Sequence, residues 1–314
     1  PILGCEVAYV PEGRAQVSAN ASGPNALLAL KHHQLVLLAK NLQGYRNLCQ
    51  IVTRAYTEAP PPEKGKQQVR AVVDRALLDK YGDDLVVLTG GLKGEIPYKI
   101  LMGDEASALE SLKWFQKRFG EDLYLEIQDN GIPEQAQVNQ RLFELGNRHG
   151  IRCVGTSDSH YLAPGDAEAH EILQCIEAGR NLDFDRPKTL VPAEFYLKPA
   201  ALMRERFSAY AGICDETLLI AAKCDVKFQF KDEQGRAIYH LPNFRPTGVA
   251  KTDEFDLLAY FRSQSRKGLE EHLVSPGFEY KRAQPDWAER IPLYHARLDS
   301  ELKMIEQTGF AGYF

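Results

Sequence analysis

The feature that most constrains this chain is an alternation of short apolar runs with amphipathic helical patterns through its first half. Five runs have the length and the flanking turn residues of buried strands: residues 2–10, 35–39, 85–89, 123–127 and 151–155. Between them apolar residues recur at helical spacing, as at Leu48, Ile51 and Ala55. Because strands that alternate with helices form a parallel sheet, open or closed into a barrel, the sequence predicts an α/β fold.

The pattern of the sequence changes near residue 205. From there helical patterns dominate, at roughly residues 215–224, 252–273 and 294–308. A chain of 314 residues has the length of about two domains. We therefore predict one domain over residues 1–205 and a second region over residues 206–314.

Charge, hydropathy and cysteine content bear on the protein's surroundings. The net charge of −5 gives no general attraction to polyanions, so contact with nucleic acid would need a local patch. No run approaches the roughly 18 apolar residues of a membrane span. The six cysteines form no C-x-x-C pair, and we interpret them as reduced. These features predict a cytoplasmic protein without a membrane partner.

The sharpest candidate site follows the last predicted strand, in the string TSDSHY at residues 156–161. In an extended chain Asp158 and His160 point to the same side, where a carboxylate and an imidazole suit Zn, Mn or Fe. Alternatively, Asp158 caps the next helix and His160 bonds locally.

A second candidate site residue is Glu6, which lies in the apolar first strand and needs a partner if it is buried. Otherwise it is an exposed carboxylate at a sheet edge.

Other strand ends give weaker signals. The glycine-rich loop at residues 90–94 is followed by Glu95-Ile-Pro, which predicts no helix and hence no phosphate cradle. A Gln-Asp-Asn-Gly turn accounts for Asp129. His32 and His33 precede the second strand and are predicted to lie on the surface. No nucleophile elbow, P-loop or H-E-x-x-H string occurs, so nucleophilic serine or cysteine catalysis has no support.

A series of strings resembles the bacterial DNA polymerase III alpha subunit family, in its PHP (polymerase and histidinol phosphatase) domain and the approach to its palm. The strings run in order along the chain: GCEV (4–7), LVLLAKN (35–41), GYRNL (44–48), LKGEI (92–96), YLEIQD (124–129), TSDSHY (156–161), DAEAH (166–170), EFYLK (194–198), PNF (242–244), GLE (268–270), RLDSELKMI (297–305) and GFAGYF (309–314). A stand-alone PHP phosphatase would not carry the strings after residue 190. We therefore expect a piece of a longer protein.

The resemblance implies a distorted (β/α)7 TIM-like barrel of PHP type, here without its first strand, followed by a mainly helical segment that leads into the polymerase palm. Carried over by position, Glu6, Asp158 and His160 match metal-ligand positions of the family. Gly91 stands where many members have cysteine, and Asn130 where many have histidine. Because glycine offers no ligand and an amide replaces imidazole poorly, we expect a degenerate site that binds Zn²⁺ or Mn²⁺ weakly or not at all.

The resemblance also implies that the complete protein is a DNA-directed DNA polymerase that uses Mg²⁺. Its implied partners are a DNA primer-template, dNTPs, the proofreading exonuclease subunit and the sliding clamp. The catalytic aspartates are expected beyond Phe314, because Asp253 and Asp256 lie in a helical pattern, and no catalytic residue is assigned in this chain. Two alternatives stay open: a PHP-type metal-dependent phosphoesterase or 3′ exonuclease, and a purely structural barrel.

Overall fold

The computed structural model of the chain describes residues 1–13, 30–59, 71–177, 179, 194–239, 244–250 and 254–314. The chain forms two compact units, Pro1–Phe228 and Gln229–Phe314. Their division lies later than the boundary predicted at residue 205. The core of the first unit includes Phe207, Ile213 and Val226. The chain therefore remains part of this unit beyond residue 205, where the sequence pattern changes.

The first unit is built on one six-stranded sheet. Its strands are β1 (Gly4–Tyr9), β2 (His33–Ala39), β3 (Val72–Val73), β4 (Leu85–Leu88), β5 (Leu123–Gln128) and β6 (Arg152–Thr156). Five of them coincide with the predicted runs, whereas the two residues of β3 are too few to form a recognisable pattern. The strand order is β3-β1-β2-β4-β5-β6. Closure into a seven-stranded barrel stays a prediction.

One strand runs against the others. β2 pairs antiparallel with both β1 and β4, while the remaining neighbours pair in parallel. The prediction of an all-parallel sheet is therefore wrong at β2, because the apolar pattern of a strand does not indicate whether it pairs in parallel or antiparallel. As a consequence His33, at the start of β2, lies opposite Tyr9 at the end of β1.

Eight helices of the first unit lie in the described ranges: α1 (Leu42–Thr57), α2 (Arg75–Tyr81), α3 (Glu95–Leu101), α4 (Glu105–Phe119), α5 (Pro133–His149), α6 (Ala167–Glu177), α7 (Ala200–Arg206) and α8 (Glu216–Lys223). The expectation that no helix follows residues 90–94 is wrong, because α3 begins at Glu95. Pro97 lies in its first turn, where backbone N–H groups have no partner within the helix and proline is tolerated.

The two faces of the sheet pack against different partners. Alternate strand residues such as Leu37, Val87 and Leu125 join the apolar faces of α1 to α5 in the main core. The opposite face carries a smaller cluster that includes Tyr124 and Ile220 of α8. Each strand therefore sends every second side chain to one of two cores, which is why the strands are apolar along most of their length.

An ion-paired anchor ties α8 to the sheet, and we expect Asp122→Ala to lower the free energy of unfolding by about 1–2 kcal/mol. Asp122 accepts hydrogen bonds from Lys40 Nζ at 2.6 Å and Lys223 Nζ at 2.9 Å. All three side chains are about three-quarters buried, so the variant leaves two ammonium groups without their counter-charge. Urea denaturation followed by circular dichroism measures the change.

The control for this anchor is Asp225→Ala. The Asp225 carboxylate pairs with Lys227 in a highly exposed ion pair, for which we expect less than about 0.5 kcal/mol. Equal losses in the two variants would contradict the anchor.

The second unit contains three described helices: α9 (Leu257–Leu273), α10 (Glu279–Arg282) and α11 (Trp287–Thr308). Ion pairs join α9 to α11, as between Arg266 and Asp299 at 3.0 Å. The side chain of Asp256 accepts a hydrogen bond from the Ala259 N–H and caps α9, while Asp253 lies outside the described residues.

Across both units, no described helix combines the length and apolarity that crossing a membrane requires.

Candidate metal centre

The predicted site residues follow neighbouring parallel strands, whose carboxyl ends meet at one edge of the sheet. Gly91 follows β4, Asn130 follows β5, and Asp158 and His160 follow β6. Glu6 lies within β1, opposite Val36 of β2. The fold therefore gathers four of the five predicted positions at one edge and holds Glu6 on the body of the sheet.

Asp158 and His160 converge as predicted. His160 Nε2 lies 3.1 Å from Asp158 Oδ1, and both side chains are a little under half exposed. The His160 N–H donates to the Phe195 carbonyl at 2.7 Å, and its ring stacks on that of His170. Asp166, rather than Asp158, accepts the Ala163 N–H in the turn that leads into α6. The local-bonding alternative thus describes His160 well, whereas the capping alternative does not describe Asp158.

Glu6 is exposed and hydrogen-bonded within the sheet. Its Oε1 accepts a hydrogen bond from Gln34 Nε2 at 2.9 Å. Of the two interpretations of Glu6, the exposed carboxylate is the one that its environment supports.

The sheet carries a second glutamate, Glu126, that was not predicted as a site residue. Glu126 of β5 is 4% exposed and accepts hydrogen bonds from Thr156 Oγ1, Gln128 Nε2 and the Gly90 N–H. Burial raises the pKa of Glu126, and the negative charge of Glu6 adds to this, against the lowering effect of the three hydrogen bonds. An acidic residue in an apolar run, the signal that selected Glu6, would have identified Glu126 too.

Two of the weaker sequence interpretations have different outcomes. Asp129 Oδ1 accepts the Gly131 N–H at 3.1 Å, which confirms the turn. His33 is half-buried, with its ring 5.3 Å from that of Tyr98, so its predicted surface position is wrong. Burial lowers the pKa of the His33 imidazole. The antiparallel direction of β2 places the His33 side chain against Tyr98 of α3, and the sequence pattern does not indicate that direction.

The residues present do not fit a metal centre. In the part of the chain that the structure describes, no three His, Cys, Asp or Glu side chains lie close enough together to hold a metal ion. Asp158 pairs with His160, and Glu6 is bonded to Gln34. A transition-metal site needs three or four converging side-chain ligands. Ligation by Glu6, Asp158 and His160 therefore stays a prediction without a geometric basis.

Comparison with known proteins shows what the chain is similar to. The PHP domain family matches residues 1–130. Along its whole length the chain is 31% identical to DNA polymerase III subunit alpha of Caulobacter vibrioides and 32% identical to that of Treponema pallidum, covering 24% of each. It is 29% identical to that of Aquifex aeolicus, again over its whole length, and covers 25% of it. The chain thus spans about a quarter of the length of these relatives.

Proposed function

Because the chain resembles DNA polymerase III subunit alpha along its whole length and matches the PHP domain over residues 1–130, we propose that it is a segment of a replicative DNA polymerase alpha subunit. The complete protein would carry out template-directed DNA synthesis in the cytoplasm. The whole-length similarity carries this proposal, because the PHP match by itself would suit other proteins.

Within that protein, this segment would not polymerise. The aspartates that hold two Mg²⁺ ions for nucleotidyl transfer would lie beyond Phe314. DNA primer-template and dNTPs would bind through the rest of the chain. We assign the PHP domain to residues 1–205, within the first unit, and the connector and the approach to the palm to residues 206–314.

For the PHP domain itself we propose a scaffold. The lack of a converging ligand set among the described residues argues against hydrolysis at this edge. The domain would support the palm and provide a docking site for the proofreading exonuclease subunit, with the sliding clamp as a further partner of the complete protein. This role requires a rigid fold but no bound ion.

Primer extension tests the polymerase proposal. The protein at its natural length should extend a primed template with dNTPs and Mg²⁺, whereas residues 1–314 alone should add no nucleotide. Failure of the longer protein to extend the primer, with the template shown to be active by another polymerase, would contradict the proposal.

Nuclease assays test the scaffold. The natural-length protein, freed of any exonuclease subunit, should degrade a 3′ end no faster with Mn²⁺ or Zn²⁺ than with chelator. A metal-dependent 3′ exonuclease that Asp158→Ala abolishes would refute the scaffold and leave the polymerase proposal intact.

A further inference from the structure

The space beside Gly91 is already filled by another side chain. A Cβ atom placed on Gly91 would lie 2.0 Å from Gln128 Oε1 and 2.7 Å from Gln128 Cδ. Gln128 is the last residue of β5, and its Nε2 donates to Glu126 Oε1 at 3.0 Å. The pocket lined by Gly91, Glu126 and Gln128 has no volume that a water molecule could enter. Gln128 thus occupies the place that a side chain at position 91 would need.

Asn130 is similarly engaged with the polypeptide. It is fully buried, and its backbone N–H donates to Gln135 Oε1 at 2.8 Å. Its side-chain Nδ2 donates to the Glu194 carbonyl at 3.3 Å, and its Oδ1 accepts from Gln135 Nε2 at 3.5 Å. Both ends of this amide therefore have protein partners, and the fully buried side chain faces no open site.

We propose that two hydrogen-bonded groups, Gln128 with Glu126 and Gln135 with Asn130, make up a closed network that fills this edge without a metal ion. In the first group Glu126 also accepts the Gly90 N–H, which holds the carboxyl ends of β4 and β5 together. The inference rests on the proposed scaffold and specifies what fills the site. A glutamine amide both donates and accepts, so it can satisfy a buried carboxylate and, unlike a metal ion, can also accept from a backbone N–H. A buried polar network in which every member has a partner rigidifies its surroundings.

A double-mutant cycle between Gly91 and Gln128 tests the steric part of the proposal. In the natural-length protein, Gly91→Ala should displace the amide end of Gln128 and lower the melting temperature of the transition that involves this unit by about 3 °C, the loss expected from removing Gln128 itself. Gln128→Ala should lower it by about 3 °C, and the double variant by no more than Gln128→Ala alone. Hydrogen exchange of peptides spanning residues 85–130 assigns each change to this edge.

The cycle has its own controls and a clear contrary result. Gly165→Ala introduces a Cβ that meets no atom within 4 Å, and should leave the melting temperature unchanged. Gln140→Ala removes an exposed glutamine that bonds to Glu144, and should also have no effect. Losses from Gly91→Ala and Gln128→Ala that simply add in the double variant would overturn the proposal.

Metal binding provides an independent test. After equilibrium dialysis against Zn²⁺ or Mn²⁺, elemental analysis should show no ion whose binding depends on Asp158. One ion per chain that is lost in Asp158→Ala would overturn the closed network. Primer extension on the same preparation keeps the two conclusions separate: metal binding with normal extension refutes the network alone, and absent extension without metal binding refutes the polymerase proposal alone.

Discussion

Replacing Glu95 by alanine is expected to lower the free energy of unfolding of the first unit by about 3–5 kcal/mol. The carboxylate is 2% exposed, and its Oε1 accepts hydrogen bonds from Ser111 Oγ at 2.6 Å, Lys99 Nζ at 2.7 Å and Arg75 at 3.3 Å. Arg75 in turn donates to the Tyr9 hydroxyl at 3.2 Å. The variant would leave two largely buried cations without their counter-charge. Urea denaturation measures the loss.

The expected loss for Glu95→Ala depends on pH in a defined direction. Burial by itself would raise the pKa of Glu95, but the hydrogen bonds from Lys99 and Ser111 and the charges of Lys99 and Arg75 outweigh it, and the pKa is lowered. A lowered pKa in the folded state stabilises the protein above the unfolded-state pKa of about 4.3, and that stabilisation is lost as pH falls. The difference between wild type and variant should therefore shrink as pH falls below about 5.

Glu105→Ala is the matched control for Glu95→Ala. Glu105 also accepts a charged hydrogen bond, from Arg141, but its side chain is 60% exposed. We expect a loss below about 1 kcal/mol for this surface pair. A loss as large as that of Glu95→Ala, or a Glu95→Ala loss that stays constant between pH 7 and pH 4, would contradict the account of the buried network.

Gly44→Ala is expected to destabilise the first unit by about 2–3 kcal/mol, through contact of α1 with a backbone carbonyl. A Cβ on Gly44 would lie 2.1 Å from the Asp84 carbonyl oxygen, which has no flexible side chain to move aside. The approach is held in place because Asn41 accepts the Gly44 N–H at 3.0 Å and donates from Nδ2 to Asp84 Oδ1 at 3.0 Å. Chemical denaturation gives the size of the effect.

The same substitution elsewhere should have the opposite sign. Gly268 lies within α9, and a Cβ there meets no atom within 4 Å. Gly268→Ala should stabilise the second unit by about 0.5–1 kcal/mol, because alanine restricts the unfolded chain and favours the helix. A neutral Gly44→Ala, with Gly268→Ala behaving as expected, would show that α1 can move away from Asp84.

The candidate site shows where sequence reasoning reached its limit. The two-residue spacing of Asp158 and His160 was enough to predict that they point to the same side, because this depends only on extended backbone, but it did not predict that they bond to each other. The role of Gln128 could not be predicted, because it depends on a close approach between the end of β5 and the loop after β4. Glu126 lies between these cases, since its acidity in an apolar strand was visible although its three donors come from different segments.

The sequence by itself determined five of the six described strands, several of the helical patterns between them and the family to which the chain is similar, because apolar periodicity and local strings are properties of neighbouring residues. Only the tertiary structure decided the direction of β2, the start of α3 at Glu95 and the length of the first unit. It also decided that Gln128 fills the space beside Gly91. These outcomes depend on contacts between residues far apart in the chain, whose energies no local pattern records.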